Sequence, residues 1–346
     1  MMKKIIAAPP PEIALPLAEK VAFLKQAVAY PHPVQSVETK ETHMSWVFLT
    51  GEFAYKLKKP VKYRFLDLSI LRSRLRNCRE EVRLNKRLAR DIYLGLVPLT
   101  IEKKGRLALE GKGRVVDWLV RMQRLPEESM LDYGIRHHTV TKDQVRPAAA
   151  LLAEFYKSLP AIDTDPSRYR EKLRGEIYSL YRELINPAYH LPVLLIDLLT
   201  AGLLRFLTEH TSLLDNRALG GKIKETHGDL RPEHICLFPV PAIIDCLEFS
   251  LQLRIQDTAE ELSFLAMECE MMGDASIGKV FLEMYTLLTS DRPDESLITF
   301  YKLRKACLRV FLVVRHIAEP AYRKDGQWVE RANAYLHLAR QYYDRL

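Results

Sequence analysis

Cysteine is scarce in this chain and never paired at short range. Five occur in 346 residues (Cys78, Cys236, Cys246, Cys269 and Cys307), an odd number at wide spacing with no CxxC. That excludes a disulfide framework and a zinc knuckle, and it fits a reducing cytoplasm. Long hydrophobic runs are also missing. The longest apolar stretch, Leu191 to Leu207, carries Asp197 and Arg205, so it reads as a buried helix and not as a membrane span. At the start, MMKKIIAAPPPEIALP has two lysines and a brief apolar run, but prolines interrupt it before the core of a signal peptide can form. Neither export nor membrane insertion is expected. There is no RNP-type aromatic signature, no zinc-finger spacing, no internal repeat and no low-complexity tract.

What is present suits a globular protein: 48% hydrophobic and 28% charged residues allow a large core and two lobes or domains. The net charge of +8 and the basic segment Arg72 to Arg90 raise the question of nucleic acid. Those basic residues are interleaved with Glu80, Glu81 and a helical apolar stripe, which is the pattern of an amphipathic helix with a solvated face. An RNA-associated role is therefore the weakest alternative, and a positive field equally suits a nucleotide triphosphate.

The periodicity predicts a short helix over Ala18 to Ala29, then two strands, Ser45 to Thr50 and Phe53 to Lys58, joined by the turn Gly51-Glu52 and ended by Pro60. Leu71, Leu75, Cys78, Val82 and Leu88 predict a helix from about Ile70 to Ala89. A further hairpin is expected from Val97 to Glu102 and Val115 to Met122, with its turn around Lys103 to Arg106. Beyond Pro126 helices dominate: Lys142 to Leu159, Arg168 to Ile185, Pro192 to His210, Asp257 to Met272, Asp274 to Leu288, Glu295 to Ile317 and Trp328 to Arg345. A short hairpin, Ile235 to Phe238 with Ala242 to Asp245, interrupts them. The expected fold class is α+β, with a small β-rich lobe over residues 1–125 and a larger helical lobe over 126–346.

Chemistry concentrates in Thr226-His227-Gly228-Asp229-Leu230-Arg231-Pro232-Glu233-His234, followed by Ala242-Ile243-Ile244-Asp245. A polar loop with an acid, next to a short hairpin whose far strand ends in a second acid, can bring two carboxylates to one cleft. Phosphoryl transfer needs such a pair, one to accept and orient a hydroxyl and one to hold the magnesium that bridges the phosphates. Either aspartate alone would more simply be a turn former or a strand cap.

These segments resemble the aminoglycoside phosphotransferase family, whose pattern is HGDxxxxN followed by a hydrophobic strand ending in Asp. The likeness to an uncharacterised bacterial branch of that family runs through Thr42-His43, Ser45, Val47 to Gly51, Tyr55 to Val61, Phe65-Leu66-Asp67, Tyr93-Leu94-Gly95, Arg121-Met122 and Asp245 to Phe249. The resemblance implies a bilobal protein-kinase-like fold that uses ATP and Mg2+ to phosphorylate a small hydroxyl compound, with Asp229 and His227 at the catalytic centre and Asp245 as metal ligand. It implies a phosphate-gripping lysine at Lys56, two residues from a competitor, Lys58, that faces the same side of the strand. Glu81 is the partner carboxylate, because it shares the inner helix face with Cys78 and Leu84 while Glu80 turns outward. No GxGxxG covers the phosphates; the turn Thr42, His43, Met44 and Ser45 is the candidate substitute, and adenine would bond backbone near Met122.

His234 departs from the family's Asn. Imidazole favours manganese or zinc over magnesium, so Glu248 supplies the missing oxygen, or His234 contacts phosphate as a cation, or it only packs within its loop. The departure keeps a pseudokinase, a nucleotide-binding module without turnover, as the alternative. Relatives of the fold act on aminoglycosides, choline, homoserine and sugars, so the family name carries no acceptor with it. A cationic acceptor would call for carboxylates such as Glu260, Glu261, Glu268 and Glu270, which read mostly as a solvated helix face.

Overall fold

The computed structural model describes residues 15–63, 66–318 and 327–346; the proline-rich start and Phe65 lie outside the described residues. The chain divides into two compact units, one running to Lys86 and resuming over Arg90–Arg124, the other made of Arg87–Ala89 and Leu125–Leu346.

The first unit opens with α1 (Leu17–Leu24) and is built on a six-stranded antiparallel sheet. Its strands are β1 (Glu38–Glu41), β2 (Ser45–Thr50), β3 (Phe53–Lys58), β6 (Tyr93–Ile101), β7 (Leu107–Leu109) and β8 (Arg114–Gln123), in the order β1-β2-β3-β8-β6-β7; β4 (Lys62–Tyr63) and β5 (Leu66–Asp67) form a separate small ladder. The β2–β3 hairpin has the boundaries expected from its alternation, and Gly51 in its turn has φ +66°, the left-handed conformation for which glycine carries no steric penalty. The small ladder β4–β5 and two strands of the six-stranded sheet lie outside the sequence expectation. β1 is Glu-Thr-Lys-Glu, almost wholly exposed, so it carries no apolar signal, and β7 fills what reads as a loop.

Helix α2 (Leu71–Asn85) ends four residues before the expected Ala89. Its inner side buries Arg74, Asn77, Cys78, Glu81, Leu84 and Asn85. The solvated basic face is present at Arg72, Arg76, Arg79 and Arg83, but Arg74 is a correction to that pattern: its Nε donates to Asp117 Oδ1 at 2.8 Å, and Lys20 holds the other oxygen at 2.7 Å. This buried knot ties α1 and α2 to β8.

The second unit is mainly helical. It contains α3 (Leu131–Arg136), α4 (Lys142–Ser158), α5 (Pro166–Leu184), α6 (Val193–Glu209), α7 (Thr211–Leu219), α8 (Leu251–Arg254), α9 (Thr258–Met271), α10 (Ala275–Thr289), α11 (Glu295–Ala318) and α12 (Gln327–Tyr343). Local chemistry starts several of them. Thr141 and Gln144 form a capping box on α4, and Asp165 caps α5 with Pro166 at its first position. Two ladders of short strands complete the unit: β9 (Ile223–Glu225) with β12 (Ile255–Asp257), and β10 (Ile235–Cys236) with β11 (Ala242–Ile243). Among the described residues no helix is long and apolar enough to cross a membrane.

Candidate functional site

In the first unit, Lys56 and Lys58 project from the same side of β3 to one carboxylate on α2. Lys56 Nζ lies 2.9 Å from Glu81 Oε1, and Lys58 Nζ lies 2.5 Å from Oε2. The two lysines differ in exposure: the Lys58 side chain is 1% accessible and that of Lys56 12%, with Glu81 fully buried. Lys58 is thus an internal counter-ion, while Lys56 keeps an edge toward solvent.

The turn before β2 is closed by its own side chains. Thr42 Oγ1 accepts the Ser45 amide at 3.0 Å and donates to the Ser45 carbonyl at 3.1 Å. His43 is exposed, and Ser45 is buried with no acceptor or donor at its Oγ among the described residues. Met122 is half-buried on β8, opposite Ala54.

The second unit carries the loop from Thr226 to His234. Glu261, on α9, is its anchor: the carboxylate is fully buried and takes hydrogen bonds from Thr226 Oγ1 (2.9 Å), His227 N (3.1 Å), Gly228 N (2.5 Å), Gln256 Nε2 (3.0 Å) and Tyr156 OH (2.6 Å). Gly228 has φ +89°, and a Cβ there would come within 3.0 Å of Arg254 Cγ and 3.1 Å of Leu247 Cβ; only glycine lets the loop sit this close. The segment after Asp245 pairs with the same loop through Leu247 N to His227 O at 3.0 Å.

His227 is fully buried. Its Nε2 lies 2.8 Å from the Ile244 carbonyl and its Nδ1 receives the Asp229 amide at 3.4 Å, a pattern that places the proton on Nε2. Burial pushes its pKa below the usual histidine value. Its geometry is that of a positioning residue, which joins the Asp229 backbone to the strand leading into Asp245.

Asp229 and Asp245 stand at the two ends of a row of four side chains, whose last step, His234 to Asp245, is too long for a hydrogen bond. Asp229 Oδ2 lies 3.1 Å from Arg231 NH2; that nitrogen lies 3.2 Å from His234 Nε2, and His234 Nε2 lies 3.7 Å from Asp245 Oδ2. Burial pushes the Asp229 carboxyl up, but Arg231, with smaller help from His234 and Arg309, outweighs it and holds the pKa below the ordinary value. Both carboxylates keep access to solvent, with side chains 34% and 41% exposed. Asp245 has φ +61°, a strained left-handed conformation that aspartate tolerates better than most residues.

The bond from His234 Nδ1 to the Asp229 carbonyl, 2.8 Å, requires a proton on that nitrogen, which leaves Nε2 as the acceptor for Arg231. Both ring nitrogens are therefore engaged by protein. Glu248 is half-buried beyond Asp245. Among the described residues no group of three or more His, Cys, Asp or Glu side chains is arranged to hold a metal ion, so Asp245, His234 and Glu248 do not form a three-ligand set. The exposed Asp245 carboxylate does fit a hard cation, because magnesium takes one or two protein carboxylates and completes its shell with phosphate oxygens and water.

The acids of α9 require a correction. Glu260, Glu261 and Glu268 are buried, not solvated. Glu260 pairs with Arg304 and Lys305, Glu268 with Arg309 and Tyr335, and Glu270 with Lys302 and Tyr342. They serve as internal counter-ions, which removes them as a carboxylate cluster for a cationic acceptor. Arg231, whose role only contacts reveal, is the functional candidate that sequence reasoning passed over.

The protein has the α+β protein-kinase-like fold of small-molecule phosphotransferases. A GDP complex of an aminoglycoside 2′-phosphotransferase aligns with a TM-score of 0.57 at 14% identity, covering 94% of this chain and 97% of that one. A choline/ethanolamine kinase family protein from Mesorhizobium loti gives 0.55 at 14% identity over 94% of each chain, and a glucosamine kinase gives 0.50 at 15% identity, covering 92% of this chain and 80% of that one. In sequence, uncharacterised proteins of Mycobacterium bovis and Mycobacterium tuberculosis are 29% identical over 322 residues, 89% of this chain. The chain spans 60% of the length of those relatives. No family model matches it.

Proposed function

We propose that this protein is an ATP-dependent phosphotransferase that moves the γ-phosphoryl group to a hydroxyl of a small molecule. The observation that supports this best is the row Asp229, Arg231, His234 and Asp245, whose first three members lie on a loop whose backbone amides are gripped by buried Glu261. With Oδ2 taken by Arg231, Oδ1 of Asp229 is the acceptor for a substrate O–H. A carboxylate held at a lowered pKa is a weak base, so Asp229 acts first by orienting the hydroxyl, and it takes the proton as the bond to phosphorus forms. Arg231 stands beside it as a fixed positive charge where the transferred group gathers negative charge.

Lys56, held by Glu81, grips the nucleotide phosphates. Asp245, with Glu248 three residues on, would hold magnesium, which when bound neutralises charge on the phosphates. Thr42, His43 and Ser45 line the turn proposed to cover the phosphates, and Met122 marks the strand whose backbone meets adenine. His234 holds its loop and steadies Arg231; this is the packing role among the three open to it.

That engagement of His234 also supports a second reading, a nucleotide-binding module without turnover. Phosphate transfer from ATP to a library of hydroxyl metabolites, measured beside nucleotide binding, separates the two. Transfer to any acceptor that disappears in Asp229→Asn supports the kinase, whereas nucleotide binding with no transfer across the library selects the module.

A further inference from the structure

The second unit contains a cavity of about 600 Å3 that Asp229 and Asp245 do not line. Its size falls in the range of small-molecule sites. Apolar walls come from Leu173, Leu180, Leu253, Ile255, Leu308 and Phe311. The floor is ionic and buried: Arg304, Lys305, Glu260 and Gln256 line it, each less than a tenth exposed.

The lining carries three cations, Lys172, Arg304 and Lys305, and three carboxylates, of which Glu176 and Glu183 stand toward solvent, so the buried floor alone carries an excess of positive charge. Glu260 is the one buried carboxylate in the lining, and it is shared by Arg304 and by Lys305 at 2.7 Å. Glu176, itself two-fifths exposed, gives Arg304 a second partner at 2.8 Å. A third cation, Lys172, bonds the Ile255 carbonyl at 2.7 Å and lies 3.8 Å from Glu176. Glu183 stands two helical turns beyond Glu176 on α5, exposed at the rim. The Arg304 guanidinium keeps a buried Nε with no acceptor among the described residues. A buried donor without a partner carries a desolvation penalty, and a ligand oxygen would remove it.

Gly175 adds an independent observation. It lies mid-way along α5 and lines the cavity, and a Cβ placed on it would meet nothing within 4 Å. Glycine at such a position weakens a helix relative to alanine. No close packing requires it here, and its effect is to leave the cavity wall clear.

We propose that this cavity is a second small-molecule site, separate from the phosphotransfer centre, that takes an organic anion with an apolar body. The acid group would sit at Arg304, Lys305 and Lys172, and the body against the leucines and Phe311. The inference does not depend on the phosphotransferase reading, because it concerns binding alone.

The test is fluorescence titration of the whole protein with anilinonaphthalene sulfonate as probe, with octanoate, octanol and octylammonium as competitors. One saturable site is expected, with octanoate displacing the probe far better than octylammonium and ADP leaving it in place. Gly175→Phe, which fills the cavity from a helix position open to a side chain, should weaken the probe about tenfold or more, equivalent to about 1.4 kcal/mol. Lys172→Gln should weaken octanoate more than octanol. Absence of saturable binding, unchanged affinity in Gly175→Phe, equal displacement by octylammonium, or displacement by ADP would each overturn the proposal.

Discussion

Lys56 Nζ and Glu81 Oε1 stand 2.9 Å apart, with the other oxygen of the carboxylate held by Lys58. Under the proposed function, two lysines on one buried carboxylate should divide between nucleotide binding and stability according to exposure. Lys58→Ala removes the more deeply buried of the two lysines paired with Glu81, and breaking a buried pair costs about 3–5 kcal/mol, so denaturant unfolding should show the larger loss there. Lys56→Ala should lose more in ATP affinity than in stability, and the Lys56/Glu81 double-mutant cycle should be less than additive for ATP use. The reverse ranking, with Lys58→Ala the more damaging to nucleotide binding, would exchange the roles.

Arg231 is expected to act on both charge and titration. Burial raises the Asp229 pKa, and Arg231 is the largest of the charges that together bring it below the ordinary value, so removing Arg231 should raise that pKa. If activity depends on ionised Asp229, as proposed, the acid limb of the kcat/KM profile should move to higher pH in Arg231→Gln, with a fall in kcat as the fixed charge is lost. An acid limb that stays in place would show that Arg231 does not set the state of Asp229.

Stability should also respond to pH through His227. Its folded pKa is depressed by burial, so the unfolded chain binds the proton more readily, and stability present above about pH 6.5 declines as pH falls below it. Thermal unfolding followed from pH 7.5 to pH 5.5, a window set around that unfolded value of about 6.5, should show a shallower decline in His227→Gln. Identical slopes would mean that other groups carry the acid response.

Much of this architecture is legible in the sequence, and the exceptions have physical reasons. The helices from Lys142 onward show the 3.6-residue apolar period that one buried face imposes, and the β2–β3 hairpin alternates around a glycine turn. The edge strand Glu38 to Glu41 is invisible because neither of its faces is apolar. Helix α9 misleads in the opposite way: it is buried on nearly every side from Thr258 to Cys269, so its acids show no period, and Glu260, Glu261 and Glu268 resemble a solvated face until their partners on α11, α12 and the Asp229 loop are seen. Asp229 and Asp245 stand out by their local pattern. The anchoring by Glu261 and the bridge through Arg231 depend on contacts whose spacing along the chain carries no signal.

The most direct measurement for the proposed chemistry compares wild type with Asp229→Asn in ATP-dependent phosphate transfer to hydroxyl metabolites, with nucleotide binding measured on the same samples. The account predicts transfer reduced by about 10²–10⁴-fold, the usual worth of a positioned base, with nucleotide affinity nearly unchanged. Transfer by Asp229→Asn at the wild-type rate would contradict it.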